Sequence, residues 1–307
     1  MPVAPPIAAR VAASPLALRL GPPAQGDITL LRKATGGNVV GRVIAFASGN
    51  DPVIQKQLDG TTTDDLRVEL GMAMSSGLFD WIAASWDPNP PSHDGAILAC
   101  DLQYTIRSER GFVGALISET AFPALDASAK SPGYLTLRLT PESVLPGTNP
   151  NVKLNLGVGP KQKLWLTSNF RLDVDGLNAS KVSRIAPFAV RRDVEVVSSG
   201  GTTTLQAGRV DFPSLRVSLS MSGADSWFDW YEDFVLNGNN GPAAERSGSI
   251  SLLGPSLVDE LARVDLAGMG IYRLTTDRDE DAPPDQVARL TAHLYCEQMT
   301  LVPGGAP

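Results

Sequence analysis

Leu66 to Trp81 reads LRVELGMAMSSGLFDW, and Leu215 to Trp230 reads LRVSLSMSGADSWFDW. The two stretches align without a gap at an offset of 149, with eight identities in sixteen positions and a shared Phe-Asp-Trp. Repetition at a fixed spacing marks two related structural units. In the second stretch Leu215, Val217, Leu219 and Met221 alternate with polar residues, the period of a strand with one face in a core. The period then changes. Trp227, Trp230, Tyr231 and Phe234 fall at i, i+3, i+4 and i+7, one face of a helix. Asp225 or Ser226 is placed to accept hydrogen bonds from its first free amides, and Gly238 to end it. The core-helix residues read this way are Phe79 and Trp81 in the first copy, and Trp227, Phe228, Trp230 and Tyr231 in the second.

Weaker echoes flank the repeat in the same order. Val40 to Phe46 matches Val182 to Phe188, Leu116 to Phe122 matches Leu266 to Tyr272, and Leu135 to Leu139 matches Leu290 to Leu294. Between the copies lies PGTNPNVKLNLGVGPKQK, Pro146 to Lys163, whose three Pro and three Gly read as a linker. The chain of 307 residues thus divides into an arm over 1–15, a domain over 16–145, the linker over 146–163 and a second domain over 164–307. With 29 Gly and 24 Pro the chain favours short strands and many turns. The expected fold is mainly β: two tandem antiparallel β-sandwich or partly open barrel domains, each with one α-helix.

Several functions are disfavoured by composition. A formal net charge of −7 argues against a grip on nucleic acid by phosphate neutralisation. No apolar run approaches the ~20 residues of a membrane span, and the N-terminus lacks the pattern of a secretory signal. Synthesis in the cytoplasm is expected. Cys100 and Cys296 both lie in apolar stretches and read as buried thiols, with no disulfide framework. Two Cys and two His make a zinc site improbable. His93, in a Pro-rich turn, reads as an exposed loop residue, and His293 as facing solvent or a neighbouring subunit. Neither has a nucleophile beside it in a recognisable motif, so no catalytic residue and no cofactor is assigned. Asp277, Asp279 and Asp281 precede Pro283 and Pro284 where a calcium loop needs its glycine and distal Glu, so they read as a solvated acidic loop. The glycines of Leu154 to Lys161 follow no phosphate-binding scheme.

The second copy resembles the tail tube protein family of contractile phages and contractile injection systems. The resemblance is carried by NFRLDVDGL (Asn169 to Leu177), VSRIAPFAV (Val182 to Val190), WFDWYEDFVLNGNNG (Trp227 to Gly241), GSISLLGP (Gly248 to Pro255) and LYCEQMTLV (Leu294 to Val302). The first copy follows more faintly from Leu18 to Val144. It implies β-sandwich or barrel domains with one helix, six domains to a ring, strands paired between neighbours, and rings stacked into a tube. A simple tube subunit is one such domain, whereas this chain carries two. The implied role is a specialised ring, such as a hub, adaptor or cap. Its partners would be itself, as a trimer or hexamer ring, and the tube, sheath, baseplate or cap proteins of the same assembled particle. Alternating Thr and Arg along Tyr134 to Thr140 would give such a ring a hydrophilic lumen. The alternative is a free-standing β-sandwich ligand-binding module, for instance for carbohydrate, with aromatic side chains exposed on loops.

Candidate interface residues follow from the repeat and its departures. Asp80 and Asp229 recur between two aromatics and point away from each helix core, either as acids favoured by the helix dipole or as contacts between domains. Trp86 and Trp165 lie off the helical face. Asn239 and Asn240, in GNNG, have no counterpart in the first copy.

Overall fold

The computed structural model describes residues 15–23, 26–47, 49, 52–145, 147–154, 165–199, 202–277 and 289–304. The first half runs β1 (Leu16–Leu20), β2 (Asp27–Leu31), β3 (Lys33–Gly36), β4 (Val39–Phe46), β5 (Gln55–Thr63) and β6 (Leu66–Leu70) into helix α1 (Ser76–Ala84). It continues through β7 (His93–Cys100), β8 (Ile106–Phe122), β9 (Leu125–Asp126), β10 (Leu135–Thr140) and β11 (Ser143–Val144). The second half runs β12 (Phe170–Val174), β13 (Val182–Ile185), β14 (Phe188–Ser199), β15 (Thr202–Asp211) and β16 (Leu215–Ser220) into α2 (Asp225–Tyr231). It closes with β17 (Arg246–Leu253), β18 (Glu260–Asp277) and β19 (Arg289–Pro303).

The first sheet has the order β2-β1-β7-β8-β10-β6-β3, and the second β12-β17-β18-β19-β16-β13-β9. Without β2 and β9 the two orders are the same, strand for strand. The register repeats as well. Leu66, Val68 and Leu70 stand opposite Leu139, Leu137 and Leu135; Leu215, Val217 and Leu219 stand opposite Leu294, Ala292 and Leu290. All twelve side chains are buried. An alternating strand has only one register that puts its apolar set inward, so the pattern settles these ladders. The chain is mainly β, in antiparallel sheets with one α-helix over each.

Two of the flanking echoes are displaced. Leu135 to Leu139 and Leu290 to Leu294 occupy equivalent ladder positions. On β8, however, Ile117 opposite Leu139 corresponds to Ile271 opposite Leu294, four residues further along β18 than the echo places it. Val40 to Phe46 lies in the exposed strand β4, not in a counterpart of β13. Short apolar-basic patterns recur in many strands and carry no register of their own. A better landmark is a pair of glycines. Gly114 and Gly268 adopt φ of +59° and +62° at matching irregularities of β8 and β18. A Cβ on Gly268 would lie 2.8 Å from that of Glu297.

Both helices close the core over their sheets, with Leu78, Phe79, Trp81 and Ile82 buried on α1 and Trp227 and Trp230 on α2. The indole of Trp81 donates to the Pro91 carbonyl, and that of Trp227 to the Asn178 carbonyl, each at 3.0 Å. The ends differ. Ser75 caps α1 by accepting from the Leu78 amide, whereas α2 begins after Ala224 with no side-chain cap. Neither Asp225 nor Ser226 serves as the expected cap, because the helix starts at Asp225 and Ala224 takes the cap position; Ser226 Oγ instead accepts from the Asn178 amide and ties down the preceding loop. The expected continuation through Phe234 takes the form of a π-turn over Glu232–Leu236. Phe228 is a second correction, since it is 38% exposed while its counterpart Phe79 is 8% exposed.

Buried side chains from both sheets form one contiguous cluster, from Leu18 to Leu301. A smaller cluster on the outer face of the first sheet joins Ala17, Ala96, Leu98, Cys100, Ile106 and Leu154. Of the expected linker, Gly147–Leu154 is pinned along the edge of β8 by bridges of Thr148 to Glu109 and Lys153 to Thr105, with Leu154 in this outer cluster. Residues 155–164 lie outside the described residues. Gly268→Ala places a Cβ at a positive φ and against Glu297; it should destabilise the chain by about 1–2 kcal/mol, read as a lower midpoint in urea unfolding.

Candidate assembly interface

The sheets meet along a built joint. On the side of β8 left open beyond β7, Glu119–Phe122 pairs with Arg191–Phe188 of β14, so a strand of the second half extends the first sheet. The exchange is mutual, since β9 of the first half pairs with β13 at the edge of the second sheet. Strand edges carry unpaired amides and carbonyls, and each sheet here satisfies an edge of the other.

Side chains reinforce the pairing. Phe122 and Phe188 stack at 4.7 Å with planes 10° apart, and Trp86 meets Phe122 edge-on at 6.3 Å. Arg191 Nε donates to the Glu119 carboxylate at 2.8 Å. Arg192, 6% exposed, reaches back to the end of α1. Its guanidinium donates to the carbonyls of Ser85, Asp87 and Gly208. A helix end leaves its last carbonyls without partners, and a cation there also suits the dipole. Burial lowers the Arg192 pKa and the Asp87 carboxylate raises it. The helix α1 also packs against β19 of the second sheet.

The residues singled out in the sequence are distributed unevenly. Trp86, 6% exposed, lies in the joint. Trp165, 2% exposed, packs where a Cβ on Gly133 would strike its ring, and its carbonyl accepts from the Gly133 amide at 2.8 Å. It therefore pins the start of the second half to the first. Asp80 and Asp229 are exposed on their helices, as are Asn239 and Asn240 beyond the π-turn. Asn239 donates to Asp233 at 2.6 Å and is engaged within its own loop. Both cysteines are buried and free.

His93 departs from its expected loop setting. It opens β7, half-buried, with its ring 5.0 Å from that of Trp81. Burial lowers its pKa, with Asp94 opposing. His293 is half-buried beside Tyr272 at 5.8 Å. Burial, Arg273 and Arg216 lower its pKa. Among the described residues no three His, Cys, Asp or Glu side chains cluster as metal ligands, and no helix is long and apolar enough to cross a membrane. Of the acidic loop, Asp279 and Asp281 lie outside the described residues. The partners of the joint, Phe122, Phe188, Arg191 and Arg192, were missed in the sequence. Their only signal is the interruption of the apolar alternation by two arginines in Val190-Arg191-Arg192.

No protein-family profile matches the chain, and no curated protein matches it. Among solved structures it is similar to a chain of an extracellular contractile injection system, the PVC sheath–tube complex in its extended state. That match has 13% identity, a TM-score of 0.37, and covers 47% of this chain and 94% of the other. A chain of the anti-feeding prophage baseplate matches at 18% identity and TM-score 0.34, covering 44% and 92%. A chain of the anti-feeding prophage cap, which terminates the tube, matches at 16% identity and TM-score 0.36, covering 43% and 88%.

Arg192→Met keeps the apolar stem but leaves three carbonyls without their donor. It should cost about 2–3 kcal/mol, measured by denaturant unfolding. A lowered folded pKa makes the neutral form of His93 the stabilising one. That stability is present above the unfolded value near 6.5 and is lost as pH falls through the folded value. The melting temperature should drop on acidification below about pH 6.5, and His93→Phe should make the drop smaller.

Proposed function

We propose that this chain is a structural component of a contractile tail or injection machine, and that its two sheets are adjacent sectors of one ring. The observation that carries the reading is the joint between β8 and β14. Two copies of one fold are held together by backbone pairing, the β14–β15 hairpin of the second joining the sheet of the first and β9 of the first joining the sheet of the second. Edge pairing between like units closes into a ring when the same step is repeated. Three chains would supply six sectors. The class of machine is the one to which the sequence resemblance points, and of which the three solved structures above are parts.

The position in the machine is that of a specialised ring, a hub, adaptor or cap, because the copies differ in their outward features. Among the described residues only the second has the π-turn and the loop with Asn239 and Asn240, and only the first has a strand, β2, along its outer edge. A uniform tube needs one repeated pair of faces, whereas a ring between unlike neighbours needs two. The role is scaffolding, with no catalytic residue and no cofactor. A carbohydrate-binding module would need an exposed aromatic platform, and Trp81, Trp86, Trp165, Trp227 and Trp230, all the tryptophans of the chain, are buried.

The test is mass and shape in solution. One chain weighs 32.5 kDa, so a ring of three should appear near 97.5 kDa in light scattering, with an annular outline in negative-stain electron microscopy. A chain that stays at 32.5 kDa at every concentration, alone and with its tube proteins, overturns the proposal.

A further inference from the structure

The internal joint has two halves, and each recurs without its partner elsewhere in the chain. The receiving half is the end of β8, and its counterpart is Arg273–Thr276 of β18. Both follow the irregularity next to the ladder with β10 or β19, Glu119 opposite Arg138 and Arg273 opposite His293. Among the described residues this part of β18 pairs with β19 alone, since β17 reaches only to Met269. The inserting half is the hairpin of β14 and β15, and its counterpart is that of β4 and β5. Each hairpin carries one irregularity, after Arg192 and after Gly41, which aligns Val190 with Val39 and Arg191 with Val40. The β4–β5 hairpin pairs with no other described strand. Arg110 holds its base by donating to the carbonyls of Gly36 and Gly37.

Exposure follows the same division. Val190 is 3% exposed inside the joint and Val39 is 56% exposed. Phe79 is buried beside the joint, while its counterpart in the repeat, Phe228, is 38% exposed. Apolar positions are covered where a neighbouring copy is present and bare where none is. From this we infer that the bare surfaces are the two halves of a second joint, made with another copy of this chain. The β4 strand of one chain lies along Arg273–Thr276 of the next, antiparallel, with Val39 opposite Leu274 and Val40 opposite Arg273. Phe228 is covered as Phe79 is within the chain. The inference rests on the ring reading above and adds the surface, the partner and the register.

The second joint is built of different chemistry. In its register the stacked Phe122 and Phe188 are replaced by Thr276 and Gly37, and the Glu119–Arg191 ion pair by Arg273 and Val40. Its contacts are apolar and backbone ones, without the stack or the ion pair. It can open between chains while the internal joint stays shut.

Two variants test the assignment without disturbing the fold, because the altered side chains are exposed or half-buried in the single chain. Val39→Cys with Leu274→Cys should give disulfide-linked dimers and trimers on mild oxidation, while either change alone should not. Cys100 and Cys296 are buried and out of reach. Phe228→Asp should raise the concentration needed for half-assembly at least tenfold, with an unchanged melting temperature of the monomer. An oligomer that forms normally with Phe228→Asp and shows no Val39–Leu274 cross-link overturns the surface and leaves the ring standing. A wild-type chain that never associates overturns both.

Discussion

An antiparallel sheet built from this chain always leaves edges, and the pairing of Glu119–Phe122 with Arg191–Phe188 is how the two sheets deal with them. The remaining features around it depend on that choice. Because β14 runs along β8, Phe188 arrives over Phe122 and Arg192 arrives at the end of α1. Because β9 pairs with β13 and β14 with β8, the chain passes between the sheets five times and cannot separate into two bodies without breaking backbone ladders. The single apolar cluster running through both sheets is the packing expression of the same joint. Hydrophobic burial supplies the stability; the strand exchange decides where that burial is shared.

Much of the fold was legible because it is periodic. Alternation in Leu66 to Leu70 and Leu215 to Leu219 specified both strand and register, and the switch of period at Trp227 specified the helix. The joint was not legible. It is made by four residues of one strand and four of another, with no turn signature or spacing to mark the partnership. Trp86 and Trp165 were noticed as aromatics off the helical face, but a sequence does not say that a ring will be consumed within the chain. Phe228 shows the limit most plainly. Its position on α2 matches that of Phe79 on α1, so periodicity treats them alike, and their burial differs because α1 packs against β19 of the other sheet, whereas among the described residues α2 packs chiefly on β18 of its own. The missing cap of α2 has a similar origin. Ser226 is the right residue type two positions past the cap, which Ala224 occupies, and its oxygen accepts from the loop at Asn178.

Duplication also frees each copy from the other's chemistry. In a single repeated unit every joint is the same joint, and a substitution that strengthens one strengthens all. Here an Arg–Glu pair, an aromatic stack and a buried guanidinium could accumulate on one side without appearing on the other. The outward features diverged in parallel: β2 lies along β1 in the first sheet, and among the described residues β12 has no such neighbour in the second.

Gly147–Leu154 is stitched along the edge of β8 by Thr148 and Lys153, and Leu154 packs in the outer cluster of the first sheet. The tether that carries the chain to the second sheet therefore starts from an anchored point, and this has a kinetic consequence. Two sheets carried on one chain meet at an effective concentration set by the number of residues between them. Half of the encounters needed to build any closed array of such sheets are thereby intramolecular, independent of how dilute the protein is.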